Sequence, residues 1–116
     1  MISLRKLINE DFGIDLPIKG STGNSIDNPV IIEWSPDDDF VSVEFAYLRC
    51  IGMARGIEWK FISQKQLSHN GRMLDRLTIK TREFGKSEII TQQENYYFDI
   101  TEWIEKSPSD SNIREN

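Results

Sequence analysis

Twenty residues, Pro36 to Arg55, run without a turn signal before Gly52, and what they form constrains the whole chain. Val41-Ser42-Val43-Glu44-Phe45-Ala46-Tyr47 alternates apolar and polar residues, as a half-buried strand does. As a strand, the run leaves Glu44 facing water. The flanks favour a helix. Ser35-Pro36-Asp37-Asp38-Asp39 supplies a capping serine, a proline at the first helical position and acids in the first turn. Alternation fails after Tyr47, where Leu48, Cys50, Ile51 and Met53 follow, and Arg55-Gly56 is a natural stop. The span also exceeds a typical strand. A helix over 36–55 is therefore predicted. At about 100° per residue, Phe40, Val41, Tyr47, Leu48 and Ile51 share one arc, flanked by Val43 and Phe45. Glu44 falls near the centre of that arc, and a carboxylate in a core needs a partner or a job.

The rest of the chain supplies the surroundings of that helix. Ser3 caps a short helix carrying Leu4, Leu7, Ile8 and Phe12, and Gly13 stops it. Pro17 to Asn28 reads as a long loop, and Pro29 to Trp34 as a short buried strand. Three strands follow, over 57–68, 72–84 and 88–100, as an antiparallel meander. A two-residue Asn70-Gly71 turn would pair Ser68 with Met73 and put Trp59 and Phe61 on the opposite face from Leu77 and Ile79. A three-residue turn, His69-Asn70-Gly71, brings Phe61 opposite Ile79, so that turn or its five-residue relative is predicted. The second turn falls at Phe84-Gly85-Lys86-Ser87. Thr101 to Lys106 reads as a short helix with Trp103 and Ile104 packed inward. Residues 1–106 thus form a single α+β domain, and 107–116 a polar, frayed tail. The expected architecture is an N-terminal helix, a short strand and a long helix packed on a curved antiparallel sheet with a three-stranded C-terminal meander. That element order is similar to the cone-shaped NTF2-like and cystatin-like folds, in which a helix lies in the hollow of a bent sheet.

Composition removes several classes of function. The 116 residues carry 38% hydrophobic and 28% charged side chains, as a soluble domain does. The longest apolar runs are far below the ~20 residues that span a bilayer. No secretory signal stands at the N-terminus, so a cytoplasmic location is expected. A single Cys50 excludes an internal disulfide, and the single His69 argues against a zinc site or a Ser-His-Asp triad. No cofactor or metal is expected. Net charge is −5, yet residues 57–87 hold seven bases against three acids, a local +4 that leaves −9 elsewhere. The overall sign argues against a dedicated nucleic-acid binder.

Two constellations carry the functional expectations. On the third strand of the meander, Gln92 and Glu94 interrupt a face otherwise made by Ile90, Tyr96, Phe98 and Ile100. With Glu44, Tyr47 and Arg55 of the helix they would line a polar cavity between helix and sheet, with Glu44 as a candidate general base. The plain alternative pairs Glu44 with Arg55, Tyr47 or a backbone group, and leaves Gln92 and Glu94 where the sheet curls into water. The 19–23 loop, which leads into a strand and not a helix, is no phosphate loop but could close such a cavity as a flap. The second constellation is a basic stripe on the outer sheet face: Arg72, Arg76, Lys80 and Arg82, with Lys60 opposite Lys80, Glu58 opposite Arg82, and Tyr97 beside them. His69 is expected in solvent at its turn, Cys50 as a small buried hydrophobe, and the three tryptophans at the core or its edge. The leading expectation is a non-enzymatic binding or adaptor domain that acts on a protein partner through a sheet face or by self-association. The alternatives are a small-molecule pocket protein, of NTF2-like type with Glu44 as base, and an acidic inhibitor or immunity-type protein that binds a basic partner.

Overall fold

The computed structural model describes residues 3–106 as three helices and a five-stranded, mostly antiparallel open sheet. In chain order these are α1 (Leu4–Phe12), β1 (Ile18–Gly20), β2 (Val30–Ile32), α2 (Phe40–Arg55), β3 (Glu58–His69), β4 (Arg72–Phe84), β5 (Ile89–Asp99) and α3 (Thr101–Lys106). The strand order is β1-β2-β5-β4-β3. The expected α+β architecture, helix on sheet, is the one observed. Two features were not foreseen. The segment predicted as a loop from Pro17 contains β1, and β2 runs parallel to β5, so the sheet is mixed. The expected tail at 107–116 lies outside the described residues.

Helix α2 forms where predicted but begins later. Ser35 and Pro36 belong to a turn, in which the Asp37 amide donates to Ser35 Oγ at 3.4 Å. The cap is Asp39: its carboxylate accepts from the Ser42 amide at 3.0 Å and from the Ser42 hydroxyl at 2.8 Å. Charge and two acceptor oxygens make Asp39 the better cap, and its pKa is lowered mainly by the Ser42 amide bond. Asp39→Ala is expected to cost about 1 kcal/mol, read as a lower urea midpoint, while Ser35→Ala leaves the midpoint in place. The helix lies on β3, β4 and β5, which define an inner face of the sheet. Val43, Tyr47, Leu48 and Cys50 of the helix share one core with Leu77, Ile79, Tyr96 and Phe98 of the sheet, and Phe45 packs its ring on Trp59 and Phe61. Each large side chain buried in this way contributes about 1.5–3 kcal/mol. At the other end Trp103 joins Phe40 and Trp34, whereas Ile104 is exposed, against expectation.

The β3–β4 register corrects the predicted turn. Asn70 (φ 52°) and Gly71 (φ 76°) are both left-handed, the conformation of a two-residue type I′ turn, and Ser68 pairs with Met73. Phe61 nevertheless faces Ile79, because the register shifts between Phe61 and Ser63. The extra residue needed to align the apolar faces is thus a β-bulge at Ile62, not a third turn residue. Lys60 opposite Lys80 and Glu58 opposite Arg82 hold as predicted.

Candidate functional site

The residues expected to line one inner cavity are separated by the length of the helix. Glu44 and Arg55 share a helical face, but eleven residues place them about 16 Å apart along the axis. Arg55 is bonded to Glu94 through both nitrogens, at 2.6 and 2.9 Å, and donates to the Tyr96 hydroxyl at 3.0 Å. Thr81 adds a hydroxyl bond to Glu94 at 3.2 Å. Arg55 holds the Glu94 carboxyl below its ordinary pKa, against partial burial. Gln92 is exposed on the same strand. Tyr47 is fully buried and donates to the Thr22 carbonyl at 2.8 Å, so the 21–29 loop is tied to the helix at that point. The loop does not cap an inner cavity. Its Ile26, Asp27 and Pro29 curl over the opposite side of the sheet beside Leu74, and Asp27 sits 3.0 Å from His69, which is half-buried and not free in solvent.

Glu44 itself is 0% exposed, and no N–H or hydroxyl of the described residues reaches either of its oxygens. The polar group against it is Asp75 of β4, also 0% exposed, whose other oxygen accepts from Gln64 Nε2 at 2.6 Å. Two carboxyl groups can bond only if one keeps its proton. Burial first, then the Asp75 bond and charge, push the Glu44 pKa up to about 10, so at neutral pH Glu44 is a neutral acid donating to Asp75. With no exposed surface, this pair cannot meet a molecule from solvent. Asp75 shares strand parity with Leu77 and Ile79, a signal that marks it as inward-facing from sequence. Gln64 is turned inward only by the bulge.

The outer face of the sheet is built differently. Its rows, read across β3, β4 and β5, are Glu58–Arg82–Thr91, Lys60–Lys80–Gln93, Ser63–Thr78–Asn95 and Lys65–Arg76–Tyr97. Lys65 was missed in the sequence because an unbroken strand would have pointed it inward; the bulge turns it out. Two of the predicted bases are neutralised. Arg72 bonds the buried Asp99 at 2.8 Å, and Asp99 also accepts from the Thr101 amide and hydroxyl, so Arg72 secures the β5–α3 junction. Arg82 lies 3.4 Å from Glu58 and over the Phe84 ring. Lys60, Lys65, Arg76 and Lys80 have no carboxylate within ion-pair distance among the described residues, and Arg76 Nε is buried with no acceptor there. A depression of about 480 Å³ opens beside Glu58, Trp59, Lys60, Lys80, Arg82 and Thr91.

Among the described residues no group of three or more His, Cys, Asp and Glu could hold a metal, and no helix is long and apolar enough to cross a membrane. Cys50 is buried, and burial raises its thiol pKa, the reverse of what a nucleophile requires. Set against family models, curated proteins and solved structures, the chain matches none, so the similarity to NTF2-like and cystatin-like folds stays one of element order.

Proposed function

We propose that this protein is a non-enzymatic binding domain that docks an acidic protein surface on the outer face of β3, β4 and β5. The observation that carries the reading is a pair of like-charge juxtapositions. Lys60 stands directly opposite Lys80, and Lys65 directly opposite Arg76. Like charges directly opposite across a sheet destabilise it, by a few tenths of a kcal/mol to about 1 kcal/mol per pair. A face shaped for stability alone would alternate the signs, as Glu58 and Arg82 do one row away. An anionic partner relieves both repulsions at once. Tyr97, half-buried beside Arg76, adds an aromatic surface of the kind enriched in interfaces.

The charge-reversed protein Arg76→Glu/Lys80→Glu tests this directly. Both reversals create cross-strand ion pairs, with Lys65 and Lys60, so the variant is expected to melt no lower than the wild type. Wild type is expected to bind poly-L-glutamate with an affinity that falls steeply with salt, and the variant to lose that binding. Equal binding by both proteins would sink the proposal. So would tighter binding of an oligothymidylate than of polyglutamate, which would make the face a nucleic-acid site.

A further inference from the structure

The spacing of the two like-charged pairs describes the partner more closely, a description that rests on the outer face being a docking surface for acidic protein. Lys80 and Arg76 are four residues apart on β4, on one face, hence about 13 Å apart. Each has a second base directly opposite on β3, so the face presents two doubly positive sites at that distance. Between them lies an uncharged row of Ser63, Thr78 and Asn95, in which the Thr78 hydroxyl donates to Asn95 Oδ1 at 2.7 Å. The pattern along the strand direction is therefore positive, polar, positive.

An extended polypeptide laid parallel to the strands repeats side chains toward the sheet at the same period, about 6.7 Å for every second residue. Its residues i, i+2 and i+4 fall on the three rows. An α-helix matches this pattern less closely: its same-face residues i, i+4 and i+7 rise unevenly, by about 6 and then about 4.5 Å, and the last falls about 3 Å short of the third row. A long polyanion is held by the two charged rows but matches the whole pattern less well than a short segment. It would place a charge on the uncharged middle row, and its flanks would meet a protein whose remaining residues carry −9. A short segment with two carboxylates meets neither difficulty.

We infer that the outer face takes one extended acidic segment, with carboxylates at i and i+4 and a small polar residue at i+2, lying along β4. One carboxylate sits between Lys60 and Lys80, the other between Lys65 and Arg76 beside Tyr97. Ser63 and Asn95, the exposed members of the middle row, hydrogen-bond the polar residue between them, over the buried Thr78.

The experiment compares two short capped peptides of identical composition, rich in Ser, Thr and Gly. One carries Glu at i and i+4; the other carries Glu at i and i+3, which fall on opposite faces of an extended chain. A third peptide has both Glu replaced by Gln. Binding is followed by titration of backbone amide signals in nitrogen-edited NMR spectra. The i, i+4 peptide is expected to bind about fivefold more tightly than the i, i+3 peptide, and to shift signals on both charged rows. Lys80→Gln and Lys65→Gln, each alone, are expected to abolish that preference. Equal affinity for the two acidic peptides, both above the Gln control, would overturn the extended register and leave the acidic-partner reading standing. No advantage of either over the Gln control, with polyglutamate still bound, would overturn the short-segment partner. Loss of polyglutamate binding as well would remove the docking face itself.

Discussion

Replacing Glu44 by Gln is expected to raise the melting temperature at neutral and alkaline pH and to flatten its dependence on pH. Folded, Glu44 keeps its proton up to about pH 10; unfolded, it loses it near its ordinary value of 4.5. Throughout that window the folded state binds more protons than the unfolded state. Glu44 therefore contributes its full stability below pH 4.5, and the contribution is lost as pH rises toward 10, by up to about 1.4 kcal/mol per pH unit. Glu94, Asp99 and Asp39 act in the opposite sense. Their pKa values are lowered, so their contribution is present above the ordinary carboxylate values and lost as pH falls through the lowered ones. The two trends place maximum stability at about pH 5. Gln can donate to Asp75 as the neutral acid does, without a proton to retain, but it brings one further N–H that must find an acceptor. A net gain of about 1–3 kcal/mol at neutral pH is expected, or at least about 4 °C in melting temperature. Calorimetric melting of both proteins across the pH range measures it. Parallel curves would show that Glu44 and Asp75 do not share a proton.

Gly52→Ala is expected to destabilise the protein by about 1–3 kcal/mol, although alanine in place of a mid-helix glycine usually stabilises by about 1 kcal/mol. A Cβ at position 52 would stand 2.7 Å from Trp59 Cδ1 and 2.9 Å from Nε1. The indole is itself packed against Phe45, so it has little room to withdraw. At the glycine α2 runs close against Trp59 at the start of β3, two elements joined by only Gly56 and Ile57. Trp59→Leu should remove most of the penalty. In a double-mutant cycle by urea denaturation the two changes are expected to couple by more than about 1 kcal/mol. Additive effects would mean that the loss arises elsewhere in the helix.

These two glycine and carboxylate positions show where sequence patterns stopped. Gly52 reads as a turn signal, yet it lies inside α2, because the requirement it meets is a close approach by a tryptophan seven residues away. Glu44 was identified as inward by helical angle alone, and it is. Its partner was misjudged because angle carries no information about distance along the axis: Arg55 matches Glu44 in direction and lies three turns away, where it meets Glu94. Asp75 could have been found by strand parity with Leu77 and Ile79. Lys65 and Gln64 could not, because their sides of the sheet depend on one bulged residue.

The Asn70-Gly71 turn makes the same division clear. Local chemistry determined by itself that the chain would turn there, that α1 would start at Ser3 and stop at Gly13, and that α2 would be helical despite seven alternating residues. Each of these depends on backbone preference or side-chain period over a few residues. The sequence also showed a conflict, since a two-residue turn put the aromatic face of β3 out of step with β4. Resolving it took one extra residue, and nothing local says whether the turn or the strand should carry it. Only the contact of Phe61 with Phe45 of α2, with Asn70 and Gly71 already satisfied in their left-handed turn, puts it at Ile62. That one residue turns Gln64 in to Asp75 and Lys65 out beside Arg76, and so completes both the buried acid pair and the basic face.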